Sequence, residues 1–314
     1  MGITKSVPPQ QYLQRVRYRQ YVRPLPRKSV DFRPGPPYPH VPAKRILREK
    51  PVTVCIACIC DAGKAIVAVC DSKLSTGYTS SDRATLKAVR VSNNWGFMYA
   101  AADISPLVPI RQRLRHELRN RSNDLSEVTS AFQSVYHEQV LMKAKDLSQI
   151  PQETILGVEL LGFGYDDELK PHIFTSTDPQ GKTDYHDIVG FQTIGAGAQT
   201  ASSILYFYGQ NPKVSLPLTI YHASAAKFMA ESATDVGKHT SVIVFMPTGK
   251  AVLLYEPDIE SLRALWEVEG KPRVPANASE VISKFYAGTE TLNEVANNMR
   301  KEKGLAPRWS EDED

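Results

Sequence analysis

The chain has 314 residues, 42% of them hydrophobic, and a formal net charge of +4. That is enough apolar material for one core of about 200 residues, with chain left over. No apolar run approaches the ~18 residues of a membrane span, and the first residues lack the apolar stretch and cleavage site of a secretory signal, so a cytoplasmic location with no membrane partner is expected.

The net charge conceals an asymmetry. Residues 1–50 carry twelve Lys or Arg against Asp31 and Glu49, a balance of +10 that leaves the remainder at −6. The same stretch holds nine prolines, including "RPGPPYPHVP". Each fixes φ and removes a backbone donor, which rules out regular helix or central strand. Residues 1–52 are therefore expected to be a disordered or extended basic arm. Such charge suits nucleic acid in principle, but an unstructured extension accounts for it as well, and a nucleic-acid partner is not the expectation.

Beyond the arm, the pattern separates into elements. Residues 53–60 and 65–71 are apolar, β-rich runs joined by the Gly-containing turn "DAGK" and predict a hairpin. "ATLKAVRVS" (84–92) and "WGFMYAAAD" (95–103) predict two further strands around "NN". The period then changes: residues 107–121 and 125–146 carry apolar side chains at helical spacing, as in Leu125, Val128, Phe132, Val135 and Val140. Strands return at 154–167 and 171–177. Residues 191–209 predict strand, small-residue turn and helix, 218–233 a helix, and 240–256 a hairpin around "PTGK". Helical patterns at 277–287 and 290–302 precede an acidic "SEDED" end. Blocks of strands and blocks of helices, without βαβ alternation, predict an α+β fold of stacked layers.

The stretch "TVCIACICDAGKAIVAVCDSKLSTGYT…LKAVRV…FMYAAAD" resembles the opening of proteasome β-type subunits and their HslV-like relatives, a family of N-terminal-nucleophile hydrolases. In that family a threonine opens the first strand, an Asp turn ends the second and a lysine follows; Asp71 and Lys87 are sixteen residues apart, as the family has them. "TIGAGAQTASSILY" is similar to its Gly-Ser-Gly turn and helix, and "ESATDVGKHTSVIVF" to its helix ending in an Asp before a strand. The resemblance covers 53–256 and implies an αββα four-layer sandwich. It also implies a homo-oligomer, with a ring and an ATPase partner as family possibilities, and a peptide or other amide as substrate. No cofactor or metal is implied. Residues 257–314 then form a C-terminal helical extension.

By the same resemblance Thr53 is the nucleophile, Lys87 the cation beside it, Asp71 the carboxylate that orients the lysine, and Asp235 the retained acid of the later loop. A threonine hydroxyl is a poor nucleophile until a base stands close to it, and in this family the α-amine of the same residue is that base. An unperturbed α-amine titrates near 8, so much of it is neutral in the cell. The backbone around Tyr99–Ala102 occupies the place of the family's oxyanion-binding glycines. Two family serines are absent: Ala196 and Lys238 stand in their places, with His239 and Thr240 as neighbouring substitutes. The rival reading from another class is a non-catalytic, structural or binding subunit whose site is covered by residues 1–52.

Cys55, Cys58, Cys60 and Cys70 are the only cysteines. Side chains alternate along a strand, so Cys55 faces away from Cys58 and Cys60, and the set reads as core rather than as a metal site. An ungapped count of sixteen back from Asp71 lands on Cys55 as an alternative nucleophile; the four-residue "DAGK" turn admits two extra residues and returns Thr53. The glycines at 195 and 197 lack the flanking residues of a phosphate loop, and "RQRLRHELRNR" (111–121) reads as a solvated basic helix face. Val52 precedes Thr53 where the family has glycine, and its β-branched side chain hinders approach to its carbonyl. A GTG start at that codon, followed by removal of methionine, is the expected route to a free Thr53; a processed propeptide is the other route, and a retained arm would leave Thr53 internal.

Overall fold

The computed structural model describes residues 53–76, 79–81, 86–272, 278–279, 282–283 and 292–305. The expectations for residues 1–52, for most of 277–287 and for the acidic end lie outside them. The chain divides into Met1–Ile46 and Leu47–Asp314, and everything described belongs to the second unit.

Two five-stranded antiparallel sheets dominate this mixed α+β fold. The first is built from β1 (Cys55–Cys60), β2 (Ala65–Asp71), β10 (Phe191–Ile194), β11 (Thr240–Phe245) and β12 (Ala251–Leu253), in the order β10-β1-β2-β11-β12. The second follows chain order: β5 (Ala88–Arg90), β6 (Trp95–Ala101), β7 (Val158–Tyr165), β8 (Pro171–Thr177) and β9 (Lys182–Tyr185). A small hairpin, β3 (Leu74–Thr76) with β4 (Thr79–Ser81), stands apart from both.

The central strands are apolar on both faces because both faces are covered. From β1, Ile56, Cys58 and Cys60 pack with α3 (Ala198–Phe207) and α4 (Leu216–Ala230) through Ala201, Leu205, Ala223 and Phe228. Its alternate residues Cys55, Ala57 and Ile59 meet Met98, Ala100, Leu161 and Phe163 of the second sheet. The far face of that sheet, with Trp95, Phe97, Leu160 and Phe174, packs on α1 (Leu107–Glu117) and α2 (Leu125–Asp146). The two-residue period of the strands thus sorts one sequence into three apolar clusters.

Most expected elements are present, with trimmed ends. The strand expected at 84–92 is only Ala88–Arg90, and that expected from 154 begins at Val158. Two elements had no expectation, and a third, α5, falls within the helical extension expected at 257–314 but had no bounds assigned. β9 and the β3–β4 hairpin carry few apolar residues, and β9 is an edge with little buried surface. α5 (Glu256–Leu265) opens with a Tyr255–Asp258 capping box and Pro257 in its first turn, then buries Ile259, with Trp266 buried in the turn beyond. That signal is written in "EPDIESLRALW", and it ties chain beyond residue 256 to the first apolar cluster. α6 (Leu292–Glu302) closes the described chain.

Gly162 of β7 shows how close the layers lie: a β-carbon there would fall 2.3 Å from Cζ of Phe174. That ring is held edge-on by Phe132 at a centroid distance of 5.0 Å. Gly162→Ala should therefore cost about 1–3 kcal/mol, as overpacking of a filled core does. Equilibrium urea unfolding measures it, and an unchanged midpoint would show that the ring is free to move.

Candidate functional site

Thr53 stands just before β1, Asp71 ends β2, and Lys87 precedes β5. The first sheet thus supplies the hydroxyl and the carboxylate, and the chain entering the second sheet supplies the ammonium. Lys87 Nζ donates to Thr53 Oγ1 at 2.5 Å and to Asp71 Oδ1 at 2.8 Å. Thr53 Oγ1 in turn donates to Asp71 Oδ1. All three residues are buried: Thr53 is 1% exposed, Asp71 0% and Lys87 2%.

Backbone groups complete the carboxylate's shell. The Val54 N–H reaches Oδ1 at 3.3 Å, and the Gly237 N–H reaches Oδ2 at 2.9 Å. A buried charge is tolerable when it is paired and its lone pairs are used, and here both conditions are met. An ammonium that donates to a hydroxyl oxygen favours the negative charge that grows there when the proton leaves. Chemically, the group is a threonine hydroxyl polarised from one side and fixed from the other.

A small-residue turn holds the threonine's backbone. The Gly197 N–H donates to the Thr53 carbonyl at 3.1 Å. Gly195 has φ +90, and a β-carbon on it would lie 2.5 Å from that same carbonyl oxygen, so only glycine fits. The Gly195 N–H donates to Glu159 Oε2 at 2.9 Å. Burial raises the Glu159 carboxyl above its ordinary range, the Gly195 hydrogen bond opposes that, and Asp178 adds to it. Ala196 is exposed between the two glycines and has no polar side-chain atom to offer.

Other expected residues fall differently. Asp235 is half-buried and makes no hydrogen bond or ion pair among the described residues; two residues on, it is Gly237 that touches Asp71. The hydroxyl of Thr240 donates to the Lys238 carbonyl at 3.3 Å, and His239 sits 4.0 Å from Glu256. Along the Tyr99–Ala102 segment, the Ala102 N–H is spent on the Gly157 carbonyl at 3.3 Å. Strand alternation turns the Ala101 N–H to the opposite edge, the side on which Lys87 enters β5. One cavity of about 780 Å³ is lined by residues including Lys238, His239, Arg263 and Trp266, and by none of Thr53, Asp71 and Lys87.

Cys55 lies opposite Cys70 across the β1–β2 ladder, between the sheets, and its thiol donates to the Tyr99 carbonyl at 3.3 Å. Burial pushes the Cys55 thiol well up and carries Cys70 to about 12. Both stay protonated, so neither supplies a thiolate. Glu159 and Lys227 were not anticipated as members of this neighbourhood. Each is a single charge inside an apolar run, "VELLGFGY" and "ASAAKFMA", and that isolation was the available signal. No family model and no curated protein matches the chain.

Two expectations test this geometry. Removing one member of a buried pair leaves the other charge uncompensated, so Lys87→Met should lower stability by about 3–5 kcal/mol, and the double variant Asp71→Asn/Lys87→Met should recover much of the loss. Calorimetry or denaturant unfolding of the three variants decides it, and strictly additive losses would deny the coupling. The four thiols should alkylate at least ~100-fold more slowly in the folded protein than after denaturation at about pH 8. Mass spectrometry reads this directly, and rapid labelling of native Cys55 would promote it as a nucleophile.

Proposed function

We propose that the protein is an N-terminal threonine hydrolase of the proteasome β-subunit and HslV-like kind, with the αββα sandwich of that family. It cleaves peptide or other amide bonds through an acyl-enzyme on Thr53. The observation that carries this reading is the convergence of Thr53, Asp71 and Lys87 into one buried, mutually hydrogen-bonded group.

In the reaction, the free α-amine of Thr53 takes the hydroxyl proton while Oγ1 bonds to the substrate carbonyl carbon. Lys87, held by Asp71, steadies the developing negative charge on Oγ1. The Ala101 N–H, on the edge opposite to the Ala102 N–H, supplies the backbone donor for the carbonyl oxygen. The proton passes from the α-ammonium to the departing amine, the C–N bond breaks, and water then hydrolyses the ester to restore Thr53. The protein acts in the cytoplasm as a homo-oligomer.

A second reading is favoured by one observation: Thr53 is 1% exposed and joined to Val52, so in the intact chain its amine is a peptide nitrogen. In that reading the protein is a non-catalytic structural or binding subunit, with the arm retained over the site. The lack of hydroxyls at Ala196 and Lys238 points the same way.

Comparing protein expressed from Met1 with protein whose chain begins at Thr53 separates the two. The second form should hydrolyse a fluorogenic amide probe and take up a threonine-directed electrophile. Thr53→Ala should lose both by at least ~100-fold and Thr53→Ser should keep part of each. A folded Thr53-initiated protein that labels no faster than Thr53→Ala would establish the non-catalytic reading. The intact mass of native protein shows which form the cell makes.

A further inference from the structure

Lys227 has a side-chain exposure of 0%, although it lies on a helix of the first apolar cluster. Taking an ammonium out of water costs several kcal/mol unless its hydrogens find partners. Here all three do: Nζ donates to Glu231 Oε1 at 2.5 Å, to the Gly237 carbonyl at 2.8 Å and to the Lys238 carbonyl at 2.9 Å. Arg263 of α5 grips the same points from outside. Its two terminal nitrogens donate to Glu231 at 2.9 and 2.7 Å, one of them also to the Lys238 carbonyl at 2.9 Å, and its guanidinium lies 4.1 Å from the centroid of the Phe228 ring.

Two consecutive carbonyls, those of Gly237 and Lys238, are thereby held on the helix side, and with them the 237–238 and 238–239 peptides. The Gly237 N–H belongs to the adjoining 236–237 peptide, which shares the Gly237 α-carbon with the held segment, and it donates to Asp71 Oδ2 at 2.9 Å. We propose that Lys227, with Glu231 and Arg263, is a positioning clamp for the reacting group, holding the 236–238 loop so that Gly237 fixes the Asp71 carboxylate beneath Lys87 and Thr53. This rests on the hydrolase reading for its kinetic consequence, though not for the clamp itself. It also gives chain beyond residue 256 a part in the site, through Arg263. Burial pulls the Lys227 ammonium below its ordinary range while Glu231 holds it up, which agrees with an ion kept charged by its partners.

The test uses Lys227→Met, which keeps the stem and removes the three donors, with Arg263→Gln as the milder variant should the first fail to fold. In the full chain, hydrogen exchange of the Gly237 amide should rise at least ~10-fold while the β1–β2 ladder is unchanged. In protein beginning at Thr53, kcat should fall ~10–100-fold with KM held, because the clamp never touches substrate and only the placement of the reacting group is lost. Unchanged exchange at Gly237 in the folded variant would overturn the clamp. Faster exchange with an unchanged kcat would overturn its link to the reacting group. A wild-type Thr53-initiated protein without activity would instead sink the hydrolase reading, leaving the exchange result to decide the clamp alone.

Discussion

The structure turns on an ion pair that water does not reach. Asp71 and Lys87 come from different sheets and meet 2.8 Å apart, with the Thr53 hydroxyl bonded to both. Neither charge is tolerable alone in such a place, so the two sheets must be stacked in one register for either to be buried. The apolar contacts between Cys55, Ala57 and Ile59 on one side and Met98, Ala100 and Leu161 on the other supply the affinity for stacking. That attraction is non-directional. The polar group adds direction, because its hydrogen bonds hold only within narrow ranges of distance and angle.

Around that pair, each oxygen and each carbonyl has its partner, and the partners come from distant parts of the chain. Gly237 and Val54 reach the carboxylate, and Gly197 reaches the carbonyl of Thr53. Glu159 of the second sheet holds the Gly195 turn from below. The threonine is therefore located by its backbone as much as by its side chain. Small residues at 195 and 197 permit this, and polar ones nearby fix it.

Much of this was legible in the sequence, for definable reasons. Strong periodicity marked the two long helices between 107 and 146, and unbroken apolar runs marked β1 and β2, where both faces are buried. Thr53, Asp71 and Lys87 were selected by spacing and resemblance, and the fold places them in contact. What escaped notice was of two kinds. The polar edge strand Lys182–Tyr185 has no buried face, so no pattern of hydrophobicity records it. Lys227 and Glu159 are legible only as anomalies, since a lone charge in an apolar run does not say which backbone atoms it will find. The contact at Gly237, where Asp235 had been singled out, is a matter of loop conformation, which residue types alone do not encode.

Because the first sheet contributes the hydroxyl and the carboxylate and the chain entering the second contributes the ammonium, the complete three-residue group has no existence until the sheets dock. A nascent or half-unfolded molecule carries Thr53 as an ordinary alcohol, without a cation beside it. A molecule that opens between its sheets parts the ammonium from the hydroxyl in the same movement that exposes the apolar face of Cys55, Ala57 and Ile59.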